Sequence, residues 1–454
     1  MKEVSEAMTI KKISLLLTSL VFTTLLSGCM EPVELSKMGI VMGLGIDKVD
    51  GQYTVTMQTI NASGVTGDNP NILPIYSMHV GGENMLTTTQ MLSNLSTQVL
   101  YYSHLKAIVV HEDVAREDGL ETLMDFIIRN TEIRPDVTLC IARNASSKEV
   151  LNVLTAVEQI PMNKLDALNN LNRRRSGMLS SYNLYEVMDL VHSDGINLVL
   201  NAVSIRQEEE HLPHAQQDSE RQHQEDMITE CEMHFSEEGR SAGNSSAPHE
   251  SQSEHNSVDA GNEGPTRQNI DEITSPADIK IEELAVFDGY KLIGYLDPVD
   301  SQMYNMLRGA NKRYWGYMNL EGDEYFLAML ITDLNAKTTP FLVENKVIIE
   351  MDIKGQLLEG DYNFNLTNTT NLEEMERLFE EDIEKEAEKF LEKLQTEFKV
   401  DILGIGREAY STDYKLWRQH SAFWEEQFPQ LQIEVKASVS IYSTGEIKNY
   451  HNVQ

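Results

Sequence analysis

The sequence has few cysteines and few basic residues, and each shortage argues against a class of protein. Its 454 residues include only three cysteines, at positions 29, 140 and 231, which is too few for a disulfide scaffold and lacks the spacing of a zinc site. Basic residues number 37 against 72 acidic ones, for a net charge of −35. Because so negative a surface repels phosphodiesters and anionic lipid, we expect neither nucleic-acid binding nor broad electrostatic docking on a membrane.

The uncharged apolar run near the amino terminus is too short to span a bilayer. It covers residues 13–26, whereas a helix needs about 20 residues to cross about 30 Å of hydrocarbon. It follows Lys11 and Lys12, and a short apolar stretch after a basic segment is typical of a secretory signal peptide. We therefore expect residues 1–28 to be a removable signal peptide that starts at either Met1 or Met8.

A lipobox ends this segment, because Leu26, Ser27 and Gly28 precede Cys29. The pattern predicts cleavage before Cys29 and a diacylglycerol on its sulfur. Two acyl chains hold a protein on a membrane where one would not, so the chain would be anchored outside the cytoplasm, in the outer leaflet. Its first strand would lie within roughly 30 Å of the bilayer. The alternative is a signal for soluble secretion followed by a chance cysteine.

Residues 29–205 mix strand and helix patterns, which favours a domain of the α+β or α/β type. Asp50-Gly51 lies between β-rich runs at 39–48 and 52–60 and predicts a hairpin. Hydrophobic periodicity predicts further helices at 84–100 and 119–129 and further buried strands at 107–110 and 137–142.

The composition changes at residues 206–280. Residues 207–280 carry 18 acidic and 4 basic side chains, and the segment holds six of the twelve histidines. With so few large apolar side chains, burial cannot offset the entropy of ordering, and we expect a disordered acidic insertion. Metal buffering by its histidines is an alternative, although their spacing is irregular.

Residues 281–454 return to ordered patterns. A second hairpin is predicted over 281–296, and half-buried strands are predicted at 346–353 and 432–442. Together with the first domain, this predicts an α+β fold of mixed sheets with packed helices, in two or three domains.

Two helices are predicted in this last part of the chain. The first begins near Thr370 and has a long apolar stripe suited to packing on a sheet. The second ends at Pro429 and places Trp417, Trp424 and Phe428 on one stripe. We expect these aromatic residues to pack in a core or a seam between domains, with an exposed binding hot spot as the alternative.

Three groups of residues, in their order along the chain, carry a recognisable pattern. The first is the lipobox with Glu34-Leu35 and Gly-Leu-Gly-Ile-Asp at 43–47; the second is His104 and Lys106 with the runs 125–129 and 132–134; the third is Asp-Ile-Leu-Gly-Ile-Gly at 401–406 with Trp417, Trp424 and Phe428.

This pattern resembles the GerC-type, or Ger(x)C, spore germination lipoproteins, the third subunit of nutrient germinant receptors. The family usually has Trp-Asp where this chain has Met30-Glu31, and its connector is much shorter than the insertion at 206–280. The resemblance implies a lipoprotein on the outer face of the spore inner membrane. It also implies two polytopic partner subunits that act with it in sensing small nutrients, and no known catalytic site.

Five arginines are candidates for contact with a partner. Arg129 and Arg134 flank a loop after a predicted helix, where we expect them to cap carbonyls and pair with Glu132 or Asp136, with a docking contact to a partner subunit as the alternative. The basic triplet Arg173, Arg174 and Arg175 is expected in a solvated loop, with contact to a partner or to lipid headgroups as the alternative.

Catalytic motifs are matched only by chance. Gly43-x-Gly45 precedes a strand and is expected to serve close backbone packing. The GxSxG match at 239–243 falls in the acidic insertion, and the SxxK match at 103–106 does not open a helix. We expect no catalytic residue, no metal site and no cofactor. The alternative function is a solute-binding lipoprotein of an ABC importer, which needs a hinge and a polar cleft between two lobes.

Overall fold

The structure is a computed structural model that describes residues 14–16, 18, 38–60, 75–153, 158, 160–175, 182–206, 278–309, 314–319, 326–360 and 369–443. The lipobox from Leu26 to Cys29 and nearly all of the predicted acidic insertion lie outside the described residues. The described part forms two mixed sheets with helices packed against them, which confirms the α+β fold.

The larger sheet has the strand order β3-β2-β1-β5-β6-β7-β8-β9, with β4 beside the start of β1. Its central strands β1, β5, β6 and β7 run parallel, and the outer pairs are antiparallel. The strands are β1 (Met38–Val49), β2 (Gln52–Ile60), β3 (Ile75–Gly82), β4 (Val99–Tyr101), β5 (Ala107–His111), β6 (Thr138–Ala142), β7 (Val199–Arg206), β8 (Asp278–Asp288) and β9 (Lys291–Leu296).

Helices lie on this sheet and between its strands. They are α1 (Met85–Leu95), α2 (Glu112–Glu117), α3 (Glu121–Arg129), α4 (Ser147–Asn152), α5 (Pro161–Arg175), α6 (Leu184–Val191) and α7 (Pro298–Leu307). Buried aliphatic side chains of β1, β5 and β6 form cores on both faces of the sheet, as expected for parallel strands with helices on either side.

The first predicted hairpin is confirmed. Asp50 and Gly51 have φ angles of 51° and 79°, the pair of positive values that a two-residue type I′ turn requires. The strand that buries Cys140 is also as predicted, since this side chain is fully buried.

The helix predicted over 84–100 is too long. It ends at Leu95, because the Ser96 hydroxyl accepts a bond from the Gln98 N–H at 3.1 Å and donates one to the Gln98 carbonyl at 2.8 Å. Such local bonds compete with helix continuation, and the chain enters β4 instead. Leu95 and Val99, which contribute to the helical spacing of this segment, are 63% and 61% exposed.

The hairpin β8–β9 extends the larger sheet. β8 pairs with β7 in antiparallel fashion, and Ala285, Phe287 and Leu292 join the core beneath β1 and β5. Strands from before and after the acidic segment therefore share one sheet. This could not be read from the local pattern, which marks a hairpin but not its neighbour.

The smaller sheet has the order β10-β11-β12-β13, with β13 parallel to β12. A 25-residue helix crosses it and buries the predicted apolar stripe, continuing into a π-helical turn at Leu394–Phe398. These elements are β10 (Tyr314–Asn319), β11 (Phe326–Phe341), β12 (Lys346–Gly360), α8 (Thr369–Lys393) and β13 (Gln432–Ser443).

The helix predicted to end at Pro429 is instead a series of short pieces, α9 (Ile405–Thr412), α10 (Tyr414–His420) and α11 (Trp424–Gln427), with 3₁₀ turns after α10 and α11. Asp413 breaks the path, because its φ of −145° is extended and its carboxylate caps the next helix at Lys415 and Leu416. Trp417, Trp424 and Phe428 are nevertheless buried together, as predicted, and the two indoles meet edge to face at 5.1 Å.

No helix in the part of the chain that the structure describes is both long and apolar enough to cross a membrane.

Candidate functional site

The Gly-Leu-Gly-Ile-Asp run at the end of β1 is explained by packing. A Cβ on Gly45 would lie 2.6 Å from Ser147 Oγ, and one on Gly43 would lie 2.6 Å from Met162 Cγ. The two glycines thus let helices α4 and α5 approach the strand. The buried Asp47 carboxylate then accepts bonds from the Ser147 N–H and hydroxyl, both at 2.7 Å. Its acceptor capacity is used within the fold.

The Asp-Ile-Leu-Gly-Ile-Gly run is explained in the same way. Asp401 is buried, and its carboxylate accepts bonds from the N–H groups of residues 404, 405 and 406 at 2.8, 3.1 and 2.8 Å and from Trp424 Nε1 at 3.2 Å. Burial raises the pKa of Asp401 to about 6, although these four donors act to lower it. This side chain fastens the turn into α9 to the aromatic cluster.

The same turn joins the two sheets. The Asn197 N–H donates to the Asp401 carbonyl at 2.7 Å, and the Arg407 N–H donates to the Gly195 carbonyl at 2.9 Å. A Cβ on Gly195, whose φ is +72°, would lie 2.5 Å from the carbonyl carbon of Gly406. At these residues the junction is a packed seam, and a polar cleft of about 320 Å³ lies beside it, lined in part by Ile196, Gly404 and Arg407.

The third group, His104 and Lys106 with Arg134, faces solvent. These residues line a polar cleft of about 270 Å³ beside the amino-terminal ends of β5 and β6. We call it the Arg134 cleft; its lining residues are Ser103, His104, Leu105, Lys106, Arg134, Asp136, Thr138, Asp166, Asn169, Asn170 and Asn183.

Charges of both signs meet in the Arg134 cleft. Lys106 Nζ lies 3.5 Å from Asp166 Oδ2, and Arg134 Nη2 lies 2.7 Å from Asp136 Oδ2. The second pair is one of those anticipated from the sequence. The Lys106 and Arg134 side chains are partly exposed, with 61% of Arg134 open to solvent. Each ion pair can therefore open toward an incoming polar group at small cost.

The floor of the cleft is ordered by buried amides. Asn169 donates to Thr138 Oγ1 at 3.0 Å and accepts from the Asn201 amide at 2.8 Å. The Asn183 side chain caps helix α6, and an isolated bridge ties this residue to Thr138. Buried, hydrogen-bonded amides beneath exposed charged side chains suit recognition of a polar loop or a small polar molecule.

The SxxK match in the cleft does not have the arrangement of the catalytic motif. Ser103 does not open a helix, and Lys106 is paired with Asp166, so the SxxK match lacks the geometry of that motif. Within the described ranges there is also no cluster of three or more His, Cys, Asp or Glu side chains that could hold a metal ion. The described arrangement offers hydrogen bonds and ion pairs.

The other candidate residues lie apart from the cleft lining. Arg129 pairs with Asp125 on its own helix at 2.8 Å, and not with Glu132 or Asp136 as anticipated, because the i, i+4 spacing brings Asp125 closest. Arg173, Arg174 and Arg175 end helix α5, so the expectation of a loop is wrong for their backbone. Cations in a last helical turn are favoured by the helix dipole. Cys29 and its lipobox are outside the described residues.

Sequence reasoning missed Asp166, Asn169 and Asn183. They come from α5 and the start of α6, and only the tertiary fold brings them to the ends of β5 and β6. The available signal was the asparagine-rich stretch of α5, which has no fixed ligand spacing.

Two family profiles match the chain on either side of the acidic segment. The one described as "Spore germination protein N-terminal domain" matches residues 31–205, and the one described as "Spore germination B3/GerAC like, C-terminal" matches residues 282–445. The chain belongs to the GerC-type family of spore germination proteins. This GerC-type family comprises germinant-receptor subunits and is not a known class of enzyme.

The similarity to other GerC-type proteins extends over nearly the whole chain. Spore germination protein KC of Bacillus subtilis (strain 168) is 21% identical over 450 residues, 96% of this chain and 97% of the relative. Spore germination protein B3 of the same organism is 19% identical over 438 residues, 93% and 95% of the two chains. The crystal structure of the GerBC protein aligns with 88% of this chain and 97% of its own, at 15% identity and a TM-score of 0.46.

Proposed function

We propose that the chain is a lipid-anchored, non-enzymatic subunit of a spore nutrient germinant receptor, held on the outer face of the spore inner membrane by diacylglycerol on Cys29. Family membership supports the receptor role, and the lipobox supports the anchor. The two polytopic receptor subunits are its expected partners.

Its task in this proposal is to bind those partners through the face that carries the Arg134 cleft. This proposal is supported by a difference among the three groups of residues that carry the resemblance to the family. Asp47 and Asp401 have their acceptors filled within the fold, whereas Lys106 and Arg134 are held by exposed pairs that another protein can replace. Arg129 and the triplet 173–175 are further candidates for this contact.

The anchor is tested by Cys29→Ala in the full-length protein. We expect the variant to leave the membrane fraction and germination to weaken. Retention of Cys29→Ala on membranes in detergent-free fractionation would contradict the anchor.

The partner contact is tested by Arg134→Glu in the anchored protein. We expect normal membrane retention but slower germination and reduced co-purification of the partner subunits. The matched control is Arg377→Glu, because Arg377 is also half-exposed and paired with glutamates, but lies on α8. Equal germination rates for the two variants would contradict the assignment of the cleft.

A ligand screen separates this function from the importer alternative. The isolated chain is heated with amino acids and sugars, and we expect no large shift of its unfolding temperature. A large shift with one such nutrient would contradict a purely partner-binding role and favour a solute-binding lipoprotein.

A further inference from the structure

One run of the sequence has no charged side chain and forms an exposed surface. Residues 84–105 contain no Asp, Glu, Lys or Arg, in a chain where 24% of residues are charged. The run forms α1 and β4, and Leu86, Leu95 and Val99 on it are 57%, 63% and 61% exposed. Leu95 follows Leu86 by nine residues and so lies on the opposite side of α1, which leaves Leu86 and Val99 as the exposed apolar pair on one surface.

A shallow groove of about 590 Å³ runs between α1, β4 and α3 on this surface. Leu86 and Val99 lie at its sides with Leu100, Tyr102 and Phe126, and the remaining lining residues are polar. Glu132 is the one carboxylate among the residues that line it. We call α1, β4 and this groove the α1–β4 face.

The α1–β4 face lies beside the start of strand β1. Met38 pairs with Val99, and Gly39 and Ile40 pair with the next two residues of β4. Met38 follows Cys29 by nine residues, and nine extended residues reach at most about 30 Å. An acyl group on Cys29 would therefore keep this face close to the bilayer whatever path the linking residues take.

We propose that the α1–β4 face rests on the membrane surface, with Leu86 and Val99 in the boundary between phospholipid headgroups and acyl chains. This inference rests on the proposed lipid anchor. Leucine, valine and tyrosine are suited to that boundary, where side chains of interfacial elements bury about 5–10 Å deep. Because the chain is acidic overall, a run without carboxylates is also where it can approach anionic lipid without repulsion.

The proposal also orients the Arg134 cleft. The Tyr101 ring on β4 lies 6.1 Å from the imidazole of His104, which lines that cleft. Contact of the α1–β4 face with lipid would hold the cleft near the membrane surface, beside partner subunits that are embedded in the bilayer.

The test uses the full-length acylated protein on vesicles of phosphatidylglycerol and phosphatidylethanolamine, with an environment-sensitive fluorophore on Leu86→Cys, which is 57% exposed beside the groove. The control carries the same fluorophore on Val343→Cys, which is 80% exposed in the turn between β11 and β12. Both variants also carry Cys231→Ser. Cys140 does not compete for label, because it is fully buried and burial raises the pKa of its thiol to about 12.

We expect the position-86 probe to shift to shorter wavelength on vesicles and to lose emission when the lipid acyl chains carry bromine, and the position-343 probe to do neither. Equal responses at both positions in protein that floats with the vesicles would overturn the proposal and leave the anchor standing. Protein that carries no acyl group and does not float would overturn the anchor and this inference with it. A wavelength shift without lipid that grows with protein concentration would assign the face to a second copy of the chain and overturn the lipid contact.

Discussion

At the scale of single residues, two glycines show that a position can require glycine for its backbone conformation alone or for both conformation and space. Gly195 and Gly51 both have positive φ angles, +72° and +79°. A side chain on Gly195 would meet the backbone of Gly406, whereas one on Gly51 would meet nothing within 4 Å. The first glycine is needed for space and for conformation, the second for conformation only.

Gly195→Ala and Gly51→Ala therefore form a matched pair. Strain in the left-handed region costs both variants roughly 1–2 kcal/mol of unfolding free energy. Gly195→Ala should lose about a further 1–3 kcal/mol, because the seam between the sheets must open to admit the methyl group. Urea unfolding followed by circular dichroism measures the difference, and equal losses would contradict the packed seam.

Asp401 gives the seam a pH dependence. Its pKa rises on folding from the ordinary 3.8 to about 6, so the folded chain takes up a proton between those values. The stability from this group is full below about pH 4 and is lost as the pH rises through about 6. Between pH 5 and 7 the unfolding free energy of the wild type should thus fall by about 1 kcal/mol more than that of Asp401→Asn, because one pKa unit corresponds to roughly 1.4 kcal/mol.

Asp401→Asn itself should be less stable throughout, by about 1–3 kcal/mol, because an amide nitrogen cannot accept the bonds that the carboxylate accepts. Asp352→Asn on the exposed side of β12 is the control and should stay within about 0.5 kcal/mol of the wild type. Unfolding curves at pH 5, 6 and 7 make the measurement. Parallel pH profiles for wild type and Asp401→Asn would contradict the assigned pKa.

At the scale of elements, helix α8 protects the edge of the smaller sheet. Glu376, Glu380 and Glu384, one helical turn apart, accept bonds from the N–H groups of residues 441, 439 and 437 on β13 at 2.7, 2.9 and 2.8 Å. These carboxylates occupy donors that an edge strand would otherwise offer to another chain.

Glu380→Ala tests this edge. It removes a charged acceptor from the Val439 N–H, and we expect a loss of about 1–3 kcal/mol in unfolding free energy and a greater tendency to associate. Glu388→Ala, at an exposed position of the same helix, should stay within about 0.5 kcal/mol of the wild type. Chemical unfolding and light scattering measure both effects. Equal stability and equal association of the two variants would contradict the role of these glutamates in covering the edge strand.

Local sequence patterns predicted the helices and strands better than they predicted which elements pack beside one another. The Asp50-Gly51 hairpin and the apolar stripe of α8 follow from turn chemistry and periodicity, which act within a few residues. The row of Glu376, Glu380 and Glu384 was missed, because these glutamates look like an ordinary solvated face of a helix until β13 is placed beside them. The end of α1 was missed for a related reason, since a serine turn outweighed the periodicity.

At the scale of the whole molecule, the pairing of β8 with β7 decides the architecture. It makes one sheet from strands on both sides of the acidic segment, while the second family profile begins only at residue 282, inside β8. The sequence marked Arg134 as a candidate for partner contact but did not predict the cleft, because the neighbours of Arg134 on α5 arrive through tertiary packing alone.

The central claim is that Cys29 is the acylated first residue of the mature chain. The most direct test is mass spectrometry of the amino-terminal peptide of native protein extracted from spore membranes. The account predicts a chain that starts at Cys29 and carries diacylglycerol on the sulfur. An unprocessed amino terminus without fatty acid would contradict the anchor and, with it, the membrane contact of the α1–β4 face.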